Sequence, residues 1–500
     1  MLQKLNPQNE QQNLNRTSAP TVIIGCGFGG MAMAIELKKN GMNDFIILER
    51  SSDIGGVWRD NSYPGAACDV VSRFYSFSFD RDREWSQAFA PQGEIWQYAL
   101  EVVERFGIRQ HVRFNAEVLS AVFEEKAGEW TVNLADGHKI TTPVLISAVG
   151  LFNTANVPEV PGRDTFKGVS FHSSGWNHDY NLEGKTVGVI GNGASGVQFL
   201  PKIAPQVAKL NLFQRSPQYV MPKSIFPGGG EWDMWLQKQP GMRWLARLKV
   251  FLMFERFIWR RRWKPHLRLQ GEAAFKRLLE AKVKDPELRR KLTPNYPMGC
   301  KRQLVSDVFY DAMVRPNVDV IDTPIERIVE DGIVTRDGMH RKLDAIIFGT
   351  GFKPTAFLTP MQICGLGGRD LNEAWRNGAE AYLGITVTGF PNFFMMYGPN
   401  TNAPSSIIFM LECQARYIVS GLKTMARKNA RYMNVKADVQ RVFNERAQEL
   451  LSQTVPARAD CFTYFKIANG KITTNWPGYA TEYKWRTRAV RKRDFEFVSS

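Results

Sequence analysis

The sequence predicts an α/β fold built from two Rossmann-like dinucleotide-binding domains with a helical insertion. Three observations carry that expectation. TVIIGCGFGG at 21–30 and TVGVIGNGASG at 186–196 are each a short apolar strand running into a glycine turn. Each is followed by a helix-compatible stretch, MAMAIELKKN or VQFLPKIAP, and then by a second strand, FIILER or LNLFQR. That is one βαβ unit, used twice. The stretch from 223 to 296 breaks the pattern: it is rich in Trp, Arg, Lys and Leu, with helical rather than strand periodicity.

The remaining elements follow in order. Residues 1–19 are polar and read as a disordered tail. Residues 20–158 and 371–500 form the expected first dinucleotide-binding domain, 159–222 and 297–370 the second, and 223–296 the insertion. A buried-strand pattern, AIIFGTGF, resumes after Asp344. GITVTGFPNFFMMYGPN at 384–400 reads as another apolar strand ending in a Gly-Pro turn, and a long helix is expected from Ser405 to Lys428. A hairpin is expected around Asn469-Gly470, then a basic tail.

A lone G-x-G-x-x-G is weak evidence, but here the strand–turn–helix context is right twice. Gly25, Gly27 and Gly30 serve the tight turn, the close approach to a pyrophosphate and helix–strand packing; Gly191, Gly193 and Gly196, with Ser195, repeat the set. The end of the second strand then decides which nucleotide is held. Glu49 stands as far beyond Gly25 as Arg215 stands beyond Gly191. A carboxylate there accepts hydrogen bonds from ribose hydroxyls and repels a 2′-phosphate, whereas an arginine welcomes one. Glu49 therefore marks an FAD or NAD site, and Arg215 with Ser216 an NADP site. SSDIGGVW after Glu49 adds a second glycine turn, through Gly56, Val57 and Trp58, which assigns FAD to the first site and NADPH to the second.

Composition narrows the remaining classes. Hydrophobic residues make up 44% of the 500, enough for sizeable cores. No apolar run reaches the roughly 18 residues needed to span a bilayer, and the N-terminus lacks an apolar signal core, so a cytoplasmic protein is expected. The six cysteines are scattered with no C-x-x-C pair, which disfavours a disulfide framework, a zinc ribbon and a dithiol reductase. The histidines have no metal-ligand spacing, and no metal is expected. The net charge of +16 accompanies no nucleic-acid-binding motif, so no nucleic-acid partner is expected.

FKGVSFHSSGW at 166–176 supplies F-x-G-x-x-x-H-x-x-x-W through Phe166, Gly168, His172 and Trp176. With the two glycine motifs, this pattern resembles the class B flavoprotein monooxygenases, and within them the Baeyer–Villiger monooxygenases. Asn177 stands where that family continues with Pro or Asp. Further likenesses are GGVW at 55–58, YPGAACDV at 63–70, YPMGCKR at 296–302, GTGF at 349–352 and GFPNFFMMYGPN at 389–400, so the resemblance spans about residues 20 to 490. It implies that Arg302 lies against the flavin, that Asp69 pairs with it, and that Lys301 helps hold the 2′-phosphate. It also implies that Trp58 and Tyr63 belong to a loop around the isoalloxazine, and that Asn400 follows a turn approaching the ring. The activity implied is insertion of one oxygen atom from O2 into an apolar ketone through a C4a-peroxyflavin. N-, S- or carbon-hydroxylation and an uncoupled NADPH oxidase are the alternatives.

The chemistry gives Arg302 and Asp69 a reason. Every intermediate after flavin reduction carries negative charge near one place, and a fixed arginine cation stabilises such charge. His172 invites a general-base role, but a hydrogen-bonded linker between the two nucleotide domains is the reading adopted. Asp307 is read as beginning or facing a helix. MRWLARLKVFLMFERFIWRRRWK at 242–264 leaves two readings open: an insertion packed on the core with a wet basic face, or a peripheral membrane contact that admits apolar substrates. Oligomeric state is not legible.

Overall fold

The computed structural model describes residues 16–499 apart from 81, 82, 227, 229–231, 233, 234, 236–238, 240, 265 and 404, and apart from the side chains of 261–263. The expected tail therefore lies mostly outside the described residues; Ser18, at its end, bridges to Thr141.

Two parallel sheets form the body. The first has the strand order Phe393–Met395, Leu145–Ser147, Val22–Ile24, Ile46–Leu48, Val112–Arg113. The second has the order Val318–Ile321, Lys209–Phe213, Thr186–Ile190, Ala345–Phe348, Val169–His172. Their inner strands are short continuous apolar runs, buried at nearly every residue. That is what a parallel sheet covered on both faces requires, since neither side of the pleat meets water. Helix Phe28–Lys39 follows the first glycine turn and helix Ala194–Ile203 the second.

An antiparallel meander, Val118–Glu124, Glu129–Leu134 and Lys139–Thr142, extends the first unit. Gln362–Cys364 pairs in parallel with Val118–Glu124, so the chain has returned to the first unit before residue 371. Trp130 anchors the meander: it is fully buried, and its indole N–H donates to the Pro391 carbonyl at 2.9 Å.

The long helix is present as Ile407–Lys428, closed by Asn429 in the left-handed region. The expected strand at 384–400 survives only as Phe393–Met395. Leu383, Gly384, Gly389 and Asn392 adopt positive φ there, and the segment coils through turns instead of extending. The turn at Asn469-Gly470 closes a single bridge, Lys466 to Ile472. The end of the basic tail forms a strand, Phe495–Ser499, antiparallel to Ala430–Val435. In the insertion, helices Arg243–Trp263, Leu267–Lys282 and Pro286–Leu292 follow one another.

Candidate active site

A cavity of about 2660 Å³ runs between the two units. Both glycine turns open onto it. Gly25 (φ 99°) and Gly191 (φ 101°) hold nearly the same left-handed conformation, which side chains resist. A Cβ at Gly25 would lie 2.9 Å from the Ala148 carbonyl oxygen, and one at Gly191 would lie 2.5 Å from that of Gly349. Gly30 and Gly196 do not reach the cavity. A Cβ at Gly30 would sit 2.1 Å from the Gly25 oxygen and one at Gly196 3.1 Å from the Gly191 oxygen, so both keep helix and strand together.

Gly27 and Gly193 differ in kind. Each is the N-cap of its helix, with no side-chain cap, and each has ordinary φ (−83° and −70°). A Cβ at either would meet protein only at ordinary contact distance, 3.8 Å and 3.9 Å. The protein itself does not demand glycine there; an occupant close to the helix N-terminus would. Free N–H groups and the helix dipole suit an anion in both places.

Glu49 and Arg215 occupy corresponding strand ends with opposite surroundings. Glu49 is 5% exposed; its carboxylate accepts from Cys26 N at 2.8 Å and Ser51 N at 3.0 Å, with Arg59 at 3.9 Å. It thereby pins the first glycine turn and keeps lone pairs that hydroxyl donors can use. Arg215 is exposed, and its guanidinium stacks on Phe462 at 3.9 Å. Lys301 donates to Ser216 Oγ and lies 4.4 Å from the Tyr296 ring centroid. Burial and the nearby Arg215 charge lower the Lys301 pKa to about 8. Among the described residues no carboxylate pairs with either cation. Two cations converging without an acid beside a helix N-terminus suit a phosphate that carries the missing charge.

Arg302 lies between the two cradles. The loop 296–302 is tied down by Tyr296, whose hydroxyl donates to Pro217 O at 2.7 Å, and by the parallel pairing of Leu304–Val305 with Val220–Met221. Arg302 Nη2 is 2.6 Å from the Asp69 carboxylate. Asp69 comes from the first unit, on a loop held by Cys68 N donating to Ala90 O at 3.0 Å. Both side chains line the cavity and keep 37% and 25% of their surface. The Asp69 charge holds the guanidinium protonated far above the ordinary arginine range, against the opposing effect of burial. Tyr464 and Tyr397 both lie close to Arg302. Burial pushes both hydroxyls up, so they stay neutral.

Of the residues expected at the site, Glu49, Gly56, Val57, Trp58, Tyr63, Asp69, Ser195, Arg215, Ser216, Lys301 and Arg302 all line this cavity. Trp58 donates through its indole to the Tyr75 hydroxyl at 2.9 Å. Tyr63 spans the two units: its hydroxyl donates to Gln198 Oε1 at 2.9 Å, and its ring meets Phe199 edge-on. Burial pushes that hydroxyl up to about 12. Phe199 also packs on Trp176, so the fingerprint tryptophan supports this junction from behind. Asn400 is not brought to the cavity. It is 1% exposed, and its amide donates to Ile472 O at 2.8 Å and Asn475 O at 3.0 Å, clasping the C-terminal segment. His172 is also off the cavity, with Nδ1 2.8 Å from Ser174 Oγ. Asp307 accepts from Lys223 N at 2.9 Å.

Phe462, Tyr464 and Gln198 were not anticipated, nor was a covalent link. Cys300, next to Lys301, is disulfide-bonded to Cys461, next to Phe462, with Cα atoms 6.7 Å apart. The scattered cysteines had argued against disulfides. The correction has a plain reason: the partners are separated by 161 residues, and spacing rules see only local pairs. Cys26, Cys68, Cys364 and Cys413 remain free.

Fold and site together define a flavoprotein built to hold two dinucleotides. A model of the pyridine nucleotide-disulphide oxidoreductase family matches residues 22–224. A Baeyer-Villiger monooxygenase of Streptomyces coelicolor is 39% identical over 478 residues, covering 95% of this chain and 92% of the relative. The closed crystal structure of cyclohexanone monooxygenase superposes with a TM-score of 0.86 at 27% identity, over 97% of this chain and all of the other. OTEMO in complex with FAD and NADP gives 0.85 at 25% identity, with the same coverage. The chain belongs to the Baeyer–Villiger monooxygenase family. It is an NADPH-dependent flavin monooxygenase whose cofactors are FAD and NADP.

Proposed function

We propose that the enzyme inserts one oxygen atom from dioxygen into an apolar ketone to give an ester or lactone. FAD belongs to the cradle of Gly25, Gly27, Gly56 and Glu49, and NADPH to that of Gly191, Gly193, Ser195, Arg215, Ser216 and Lys301. When bound, the two cofactors supply hydride transfer and the activation of dioxygen. The chain's own contribution is charge and position. Arg302 keeps a permanent cation where negative charge develops on oxygen, which a neutral site would not tolerate. Asp69 fixes its direction, and the neutral Tyr464 hydroxyl lies beside it.

The observation that carries this reading is the Arg302–Asp69 pair at the seam of the two units. A binding or hydride-transfer protein has no use for a paired, half-buried cation at that place. An apolar substrate fits because the cavity lining includes Ile225, Phe226, Met253, Phe254 and Phe257. The test of the reaction is direct: supply purified holoenzyme with NADPH and a panel of ketones, sulfides and amines, and identify products by mass spectrometry. Esters from ketones support the proposal. Sulfoxides, N-oxides or alcohols without any ester would replace it with hydroxylation.

A further inference from the structure

Helix Arg243–Trp263 is inserted from the second unit but docks on the first. Its inner face is fully used. Arg247 donates to Arg73 O at 2.6 Å and Ser76 O at 3.0 Å. Phe254 stacks on Phe74, Phe251 meets Phe409 at 5.3 Å, and Glu255 accepts from Ala480 N at 2.9 Å. The helix therefore cannot turn its other face inward.

That other face is apolar. Leu245, Leu248, Leu252 and Trp259 recur at intervals of three, four and seven, which places them in one stripe. All are exposed, Leu252 by 56%. Trp244 adds to the upper end, and Trp232 and Trp235 stand exposed just before the helix. Lys249, Arg256 and Arg260 are also exposed and follow the same helical spacing along one flank. The side chains of Arg261 and Arg262 lie outside the described residues. Among the described residues no helix is long and apolar enough to cross a membrane. An apolar stripe with a cationic flank, on a helix that does not span, is the pattern of a helix lying in the interface of an anionic bilayer.

The same helix walls the cavity. Met253, Phe254, Phe257 and Ile258 line it, and so do Arg256 and Arg260, which the helical spacing puts between the stripe and that wall. We infer that the outward stripe of helix Arg243–Trp263 rests on an anionic bilayer, and that apolar substrate passes from the lipid to the cavity around this helix. The second half rests on the proposed oxidation of an apolar ketone; the first does not.

The test uses full-length holoenzyme, Leu248→Glu/Leu252→Glu, and, should that variant lose FAD, Leu252→Ser/Trp259→Ser. None of these residues lines the cavity. Wild type should sediment with phosphatidylglycerol–phosphatidylcholine vesicles, bind pure phosphatidylcholine less, and be released by salt, because exposed charges are screened over roughly 8–10 Å. The double Glu variant should lose vesicle binding roughly tenfold or more, as anionic groups replace apolar ones at the interface. It should oxidise a water-soluble ketone at the wild-type rate and a vesicle-dissolved long-chain ketone more slowly. Equal binding to both vesicle types, no binding to either, or a wild-type dimer that the variant dissociates would overturn the docking face. Equal loss on both ketones would overturn the lateral supply. Vesicle binding without any ketone oxidation would leave the docking face standing and remove the proposed reaction instead.

Discussion

The two nucleotide units are nearly the same backbone with opposite electrostatics. Gly25 and Gly191 share one conformation, each backed by the carbonyl of a neighbouring strand end, and each helix begins at an uncapped glycine. The difference lies at the end of the second strand. In the first unit a buried carboxylate is bonded to the glycine turn itself, through Cys26 N. In the second, Asn192 takes over that tie, donating to Gln214 Oε1 at 2.7 Å and Ser216 O at 3.1 Å, which leaves Arg215 free to face outward over Phe462. The fold builds the same glycine turn and helix start in either case, and the proposed choice of nucleotide rests on the one side chain at the strand end. The comparison also explains why Gly27 and Gly193 are glycines when the surrounding protein leaves room for more.

The largest effect should come from filling those cradles. Gly27→Val is expected to fold, since neither φ nor space forbids it, yet to purify without flavin; absorbance in the visible range reads this directly. Gly193→Val should stay yellow and lose NADPH binding instead. Yellow Gly27→Val protein with stoichiometric FAD would break the assignment of the two sites.

Arg302→Ala should retain FAD and lose roughly 10²–10³ in oxygenation rate, the usual cost of removing one donor to a developing anion. Asp69→Asn should show a milder form, because Asp69 acts through Arg302. Product formed per NADPH consumed separates oxygen transfer from flavin reduction, and a fully coupled Arg302→Ala enzyme would remove the residue from the chemistry.

A smaller change is expected at the strand end. A charge-assisted hydrogen bond is worth roughly 1.5–3 kcal/mol, so Arg215→Ala should cut the preference for NADPH over NADH by on the order of tenfold or more. An unchanged ratio of kcat/KM for the two coenzymes would exclude Arg215 from the 2′-phosphate site.

The smallest effect concerns pH. Lys301 has a pKa lowered to about 8 by burial and by Arg215. Its positive charge is complete below that value and lost as pH rises through it, so KM for NADPH should climb above pH 8 while KM for NADH stays flat. Removing Arg215 removes a like charge, and the rise should move to higher pH. A KM for NADPH that does not change across this range would contradict the role given to Lys301.

Much of this was legible because it is local. Strand–glycine–helix order, the matched offsets of Glu49 and Arg215, and the motif around Arg302 all lie within short stretches of chain. What was not legible depends on distant contacts. Tyr464 and Phe462 sit in CFTYF, which has no distinguishing pattern, and matter only because the C-terminal segment folds back over Arg302 and Arg215. Gln198 reads as an ordinary helical residue until Tyr63 and Ala67 of the other unit meet it. Asn400 was drawn to the flavin by its place after Gly-Pro, but its positive φ and its bonds to Ile472 and Asn475 turn it into the wall. The segment 384–400 shows that apolar residues alone do not make a strand when glycines and an Asn with positive φ punctuate them.

The reaction itself is open to one decisive measurement. Wild-type holoenzyme is given NADPH, an apolar ketone and ¹⁸O₂, and the product mass is read beside the yield of hydrogen peroxide. The account predicts an ester or lactone carrying one ¹⁸O atom, formed in step with NADPH consumption. Recovery of unchanged ketone with peroxide as the sole oxygen product, across a panel of apolar ketones, would contradict it.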